Sequence, residues 1–326
     1  MKRAKIRAVS PLFFFVVIFS VFTNLVYADE LVVSTSKFSY GLGATMKVYG
    51  TLTLGGNPVT DGLVAVQVED NLGDLKCVRV VPTGTTPPPW KVRIAEFLSC
   101  DFQGDPKSEF TRGTLAYFKI TVESLDAVIE RQVTIALNLF DWVGVSIGVA
   151  CISGYPLKPG DRFTFFTSMP IPNDAFVGTA ICTASVLTEW PKDDGCPYCP
   201  EGLTEFTIGD GSQTTGLSPE LTFTGSGGSF NLSFKLPSTA ELGDYFIYAS
   251  ARYNAWACAA FDYFWLFTDI DRDGNVNIQD LFIIAKAYGS KLGDPLWNSQ
   301  ADLNGDDQVN IADMYKVARD YAKTRT

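Results

Sequence analysis

A mainly β chain with a small helical tail is the fold class the sequence predicts, and three observations predict it. Charged residues make up only 19% of the chain while 46% is hydrophobic and 13% aromatic, a mixture that suits pleated, half-buried surfaces. Short apolar runs parted by Gly- and Pro-bearing turns recur along residues 31–266, the spacing of strands. A helical period appears in residues 278–288 and 311–322, near the C-terminus. At 326 residues the chain is long enough for two or three domains, each with a core.

Residues 1–28 read as a secretory signal. Lys2, Arg3, Lys5 and Arg7 precede an apolar run over residues 12–22, and Val26-Tyr27-Ala28 places a small residue where cleavage is expected. The alternative, an uncleaved anchor, needs about 20 apolar residues, more than this run supplies, and no later segment is long and apolar enough to span. Cleavage before Asp29 removes four of the 26 basic residues and none of the 36 acidic ones, leaving 22 against 36 and a net charge of −14. An exported protein this acidic is a poor partner for nucleic acid, which is bound by clustered Lys and Arg, and a good one for divalent cations.

Seven cysteines in an exported chain predict disulfides of undetermined connectivity, with one thiol left over. Cys196-Pro197-Tyr198-Cys199 has the spacing of a redox motif, but it lies in a turn-forming stretch with Pro191, Gly195 and Pro200, so a loop staple is expected there. The chain contains no histidine, which removes Ser-His, Cys-His and His-metal chemistry together. A glycosidase needs only two carboxylates; Glu189, Asp193 and Asp194 lie near Trp190 without a spacing that marks an acid and a nucleophile. No catalytic residue is assigned, and a non-enzyme is expected.

Residues 32–34, 45–54 and 63–69 read as strands, parted by Tyr40-Gly41-Leu42-Gly43 and Gly55-Gly56-Asn57-Pro58. Val64, Val66 and Val68 alternate with Ala65 and Gln67, which sends one face to a core and the other to solvent. This opening resembles that of microbial Ig-like or macroglobulin-like domains. Their closing half appears far downstream, as Gly228-Ser229-Phe230, then Leu232, Phe234, Leu236 and Pro237, then Gly243-Asp244-Tyr245, with residues 261–267 as a final strand. The separation predicts a discontinuous sandwich, residues 29–99 and 211–268, carrying an inserted Ig-like sandwich at 100–210. Phe118, Ile120 and Val122, followed by Val133, Ile135, Leu137 and Leu139, give the insert its own core. Two consecutive sandwiches divided near residues 140–150 are the simpler alternative, and Pro87-Pro88-Pro89 belongs to the first crossing. Asn231-Leu232-Ser233 is a glycosylation sequon.

Residues 269–326 carry the chemistry. A calcium loop offers oxygens from positions 1, 3, 5, 7, 9 and 12, with Gly at 6 for the sharp turn. Asp269, Asp271, Asp273, Asn275 through its carbonyl, Asn277 and Asp280 meet that spacing with Gly274 at position 6. Asp302, Asn304, Asp306, Gln308 through its carbonyl, Asn310 and Asp313 repeat it, so two Ca2+ ions are expected. Asp307 stands where Gly belongs, a strained choice at positive φ, so the second site should be the weaker. Each loop leads into an amphipathic helix, with Leu281, Ile284, Ala285 and Tyr288 matched by Met314, Val317, Ala318 and Tyr321.

These loop-helix copies, the shared Val-Asn-Ile-x-Asp signature and the connector with Trp297 resemble a type I dockerin. The resemblance implies a two-ion all-α module that binds a cohesin-like partner through either of two near-symmetric faces, and it implies partner-contact roles for Gln279, Lys286, Ala312 and Arg319. Ile278 and Ile311 replace the hydroxyl residues usual in that family. Two readings of the module follow: a docking surface, or a calcium-stabilised cap on the sandwich, which the short link before Asp269 favours. For the whole chain three readings stand: an adhesive or structural protein docked into an extracellular assembly, a carbohydrate-binding subunit using Trp90, Trp190 or Trp256, and a polysaccharide hydrolase.

Overall fold

The computed structural model describes residues 30–41, 43–84, 90–210, 223–237, 240–241, 243–253, 256–266, 268–271 and 273–324. The expected signal segment and Pro87-Pro88-Pro89 lie outside the described residues. Among the described residues eighteen strands run in chain order. First come β1 (Glu30–Thr35), β2 (Ser39–Tyr40), β3 (Thr45–Leu54), β4 (Asn57–Pro58), β5 (Leu63–Asp70) and β6 (Leu75–Pro82). Next are β7 (Val92–Cys100), β8 (Glu109–Thr111), β9 (Leu115–Ser124), β10 (Arg131–Phe140), β11 (Ser146–Leu157), β12 (Arg162–Pro170), β13 (Gly178–Leu187) and β14 (Gly202–Gly209). Last are β15 (Phe223–Ser226), β16 (Ser229–Lys235), β17 (Gly243–Tyr253) and β18 (Trp256–Leu266), and then two helices, α1 (Ile278–Ala287) and α2 (Ile311–Asp320). None of the described helices is long and apolar enough to cross a membrane.

Strands from both ends of the β region share two sheets, ordered β1-β3-β16-β15 with β4 on β3, and β2-β18-β17-β5-β6. Between these sheets lies a core that includes Met46, Val48, Val64, Val66, Phe230, Phe234, Tyr245 and Phe264. The intervening strands form two other sheets, β11-β10-β13-β14-β8 and β12-β9-β7, around Phe118, Ile120, Val133, Leu137, Ala184 and Phe206. The alternation read in β9 and β10 places Phe118, Ile120, Val133 and Leu137 as expected. One boundary moves. Strand β7, assigned by sequence to the 29–99 segment, pairs with β9 from Val92 opposite Ser124 to Cys100 opposite Tyr117, so the crossing falls before residue 92.

Strand β5 departs from the expected alternation, since all eight of its residues are buried. Its outward side chains Leu63 and Ala65 meet Val78, Val80, Ala136 and Leu187, with Trp90 and Trp190 packed alongside. The two sandwiches therefore bury an apolar face against each other, which is why Ala65 and Gln67 are covered. Trp90 and Trp190 are half-buried in this contact and are not the exposed platforms expected of them; the Trp256 side chain lies outside the described residues.

Several polar groups at the contact are paired. Arg79 Nη2 and Nε donate to Glu201 Oε1 and Oε2 at 2.6 and 3.0 Å, Lys192 Nζ donates to Glu69 at 2.7 Å, and Val78 N donates to the buried Asn138 Oδ1 at 2.8 Å. Removing one member of a buried pair such as Arg79–Glu201 costs about 3–5 kcal/mol.

The expected disulfides are a further correction, since no bridge is seen among the described residues. Cys196 and Cys199 are buried, and their loop is held without a staple: Tyr198 N donates to Val186 O at 2.8 Å, and the Cys196 thiol points toward Ala251 O at 3.6 Å. Burial pushes the Cys199 thiol up to about 12, which suppresses the reactive thiolate. Asn231 of the sequon is exposed between buried Phe230 and Leu232.

Candidate metal centre and docking surface

The chain leaves β18 and enters the first loop at Thr268, whose hydroxyl donates to Asp320 Oδ2 at 3.1 Å. Asp269, almost fully buried, accepts Gly274 N on Oδ2 at 2.8 Å. Asp271 accepts Asp273 N at 3.2 Å, and Asp273 accepts Asn275 N at 2.8 Å. These bonds curl the backbone inward, and Gly274 makes the turn at φ 88°, a conformation open to a residue without Cβ. Carboxylate oxygens of Asp269, Asp271 and Asp273 then lie within 4.8 Å of one another. Three anionic oxygens on one spot suit a hard divalent cation.

Asp280 completes the loop from the helix side. Its Oδ1 accepts Ile270 N at 2.5 Å and its Oδ2 accepts Asn277 N at 2.8 Å, while Asn277 accepts Gln279 N at 2.7 Å. This reciprocal capping box fixes the start of α1. Asn277 Nδ2 also reaches Asp273 Oδ2 at 3.1 Å.

The second loop repeats the scheme with local differences. Asp302 accepts Gly305 N at 2.9 Å and Asp307 N at 3.2 Å; Asp306 accepts Gln308 N at 3.0 Å; Asp313 accepts Leu303 N at 2.7 Å and Asn310 N at 2.8 Å. Burial pushes the Asp313 carboxyl up, against the backbone amides that favour its charge. Asn304 Nδ2 donates to Asp306 Oδ2 at 2.9 Å. Asp307 adopts φ 61° at the position filled by Gly274 in the first loop, the strained geometry read from the sequence. Among the described residues, the second-loop acids do not converge as closely as the first-loop trio.

The repeats are joined by their backbones. Val276 N donates to Lys323 O and Ala322 N to Val276 O, both at 2.8 Å, while Gly289 N donates to Val309 O at 2.8 Å and Val309 N to Ser290 O at 3.0 Å. Each loop thus pairs with the segment that follows the other repeat's helix. Val276, Ile284, Leu303, Val309 and Val317 fill the core between them, with Trp265 of β18 and Trp297 packed against it. Ala285, Ala318, Tyr288 and Tyr321 do not share in this core as the helical period suggested; all four are exposed. Both helices stop one residue before the tyrosine, which takes an extended ψ of 132° or 137° and leaves the packed face.

Of the expected partner contacts, Gln279, Lys286, Ala312 and Arg319 are all exposed. Lys286 Nζ lies 4.5 Å from the Phe282 ring centroid, and Arg319 Nε donates to Asp320 Oδ1 at 3.1 Å. Their spacing sets Gln279, Phe282 and Lys286 along one face of α1, and Ala312, Tyr315 and Arg319 along the matching face of α2. Sequence reasoning missed the apolar part of these faces. Ile278, Phe282, Ile311 and Tyr315 are 59–67% exposed, and their recurrence at the first and fifth positions of both helices was the available signal.

The module also rests on the first sandwich. Gly41 N donates to Leu303 O at 3.3 Å, and a Cβ at Gly41 would stand 3.0 Å from that oxygen, so a side chain there would crowd the contact. Buried Lys37 directs Nζ to the Asp302 carbonyl and stands 3.1 Å from its Oδ2. Burial pulls the Lys37 pKa down, with the Asp302 charge opposing.

No curated protein matches the chain. Solved structures give distant likenesses. They include the Pseudomonas fluorescens alkylpurine DNA glycosylase AlkC bound to DNA containing an abasic site analog, at 12% identity over 37% of this chain and 31% of that one, TM-score 0.28. This chain thus spans less than a third of the glycosylase. The C-terminal domain of wzt follows at 14% identity over 42% and 84%, TM-score 0.32, and the CARDB domain of a Pyrococcus furiosus protein in complex with di-metal ions at 12% over 38% and 96%, TM-score 0.25. Each covers under half of this chain, and none defines a fold or function for it. Residues 267–320, by contrast, match the family model of the dockerin type I domain, the residues in which the duplicated loops and capped helices were found. The two loop-helix repeats are a dockerin type I domain, and the chain therefore ends in a calcium-binding module for docking to another protein.

Proposed function

We propose that the chain is an exported, non-catalytic protein that loads Ca2+ in its C-terminal module and docks through that module to a cohesin-like partner in an extracellular or cell-surface assembly. The β-sandwiches then serve for adhesion or display. One observation carries the reading: two matching helix faces, Ile278 and Phe282 on α1 and Ile311 and Tyr315 on α2, stay exposed although the module packs on the sandwich. Large apolar side chains repeated at equivalent exposed positions suit a protein interface. The cap reading is accommodated as well, since the contact through Gly41 and Lys37 leaves these faces open.

Asp269, Asp271, Asp273, Asn275, Asn277 and Asp280 would hold one ion, and Asp302, Asn304, Asp306, Gln308, Asn310 and Asp313 a second. The ion would neutralise the clustered carboxylates, and the bonded loops would then set α1 and α2 at a fixed angle. Pull-down from the secretome with the full chain tests the docking role: a partner retained with calcium and released by chelator is expected, and equal recovery in both would end the proposal.

A second reading, carbohydrate binding, draws support from a different surface. Phe246 and Phe261 stack at 6.1 Å, and Tyr248 and Tyr263 lie beside Phe261 at 5.4 and 6.5 Å on the outer face of β17 and β18. Aromatic faces with adjoining hydroxyls suit a sugar ring. A glycan array showing no binding would remove it.

A further inference from the structure

The second ion loop has a resident cation of its own. Lys37, on the turn between β1 and β2, is 8% exposed, and its ammonium stands 3.1 Å from Asp302 Oδ2, at the first ligand position of that loop, while also donating to the Asp302 carbonyl. Nearby, Lys47 Nζ is 4.0 Å from Asp307 Oδ2. The chain approaches closely here: Gly41 N bonds Leu303 O, and a Cβ on Gly305 would stand 3.2 Å from Thr45 O.

The two loops also differ in charge. The ligand positions of the first hold four carboxylates, Asp269, Asp271, Asp273 and Asp280, while those of the second hold three, Asp302, Asp306 and Asp313, with Asn304 in the remaining place. Ligand charge is what tunes calcium affinity in such loops. A buried ammonium on one of three carboxylates lowers the effective charge again, and it repels a divalent ion brought to the same group. Burial sustains the effect, because neither water nor salt screens the contact well.

We propose that Lys37 sets the calcium affinity of the second loop from outside the module: the sandwich ammonium opposes the ion at Asp302, so the loops fill in sequence, the first well before the second. This rests on the metal reading above and deepens it, since a residue more than 260 positions away, in another domain, becomes a determinant of the site. Binding at the second loop is then coupled to the sandwich contact, because calcium and Lys37 act on the same carboxylate.

Calorimetric titration of the full mature chain with CaCl2 tests it, on the wild type and on Lys37→Met, which keeps most of the stem and removes the charge. The wild type should show two phases at least tenfold apart. Lys37→Met should tighten the weaker phase about tenfold and leave the tighter one unmoved, and Lys37→Arg should keep the wild-type gap. Lys37→Gln, which retains a donor for the Asp302 carbonyl, gives the same answer if the Met variant fails to fold. A weaker phase that is unchanged or loosened in the neutral variants overturns the role of Lys37 alone. A wild-type chain that takes up no calcium overturns instead the metal reading beneath it.

Discussion

The first loop closes on itself: Asp269, Asp271 and Asp273 bring oxygens within 4.8 Å, Gly274 makes the turn at φ 88°, and Asp280 caps the following helix. The second copies the capping box but turns at Asp307 with φ 61° and shares Asp302 with a lysine from the sandwich. The same residue spacing thus yields two differently built loops. A loop in contact with another domain inherits that domain's charges and constraints, and sequence spacing alone does not report them.

The largest test of this pairing is removal of the metal. Helices of ten residues, like α1 and α2, fall below the roughly 12–15 needed for independent stability, and the carboxylates repel one another without an ion. Chelator should therefore abolish the helical circular-dichroism signal while the sandwiches keep theirs. Helicity that is equal with and without calcium would show that the module core and its sandwich contact suffice.

Partner binding is next. Phe282→Ala with Tyr315→Ala should lower affinity at least a hundredfold, about 2.7 kcal/mol, while each single change costs less than tenfold if either face can engage. A single variant as damaging as the pair would show that one repeat carries the interface. Metal-ligand changes should separate the loops. Asp273→Asn is expected to weaken the tighter calorimetric phase more than tenfold, and Asp306→Asn the other phase; one variant that alters both equally would show the loops act as a unit.

The smallest effect is local. Asp307→Gly relieves a positive φ and should stabilise the calcium-loaded module by about 1 kcal/mol, whereas Gly274→Ala should destabilise it by a similar amount. Thermal unfolding followed at the helical signal reads both, and an Asp307→Gly chain that melts lower than the wild type would show that the Asp307 side chain, which Lys47 approaches, outweighs the strain.

The loop geometry was legible because such a loop is a local object: Asp269 and Asp280 are eleven residues apart, and the bonds that position them lie within that span. Alternation in β9 and β10 was legible for the same reason, as side chains two apart share a face. Misreadings arose where distant chain decided the surroundings. Ala65 and Gln67 are covered because the second sandwich packs on β5, and Trp90 and Trp190 are drawn into that contact. The Cys196-to-Cys199 turn needs no staple, since the loop is bonded to Val186.

By itself, then, the sequence determined the strand-rich class, the duplicated ion loops and the capped helices, each specified by residues within about a dozen positions of one another. Only the tertiary structure decided where β7 belongs, which aromatics stay in water and that Lys37 meets Asp302. Those outcomes depend on contacts between segments far apart in the chain, where close packing and desolvation act and no local periodicity records the partner.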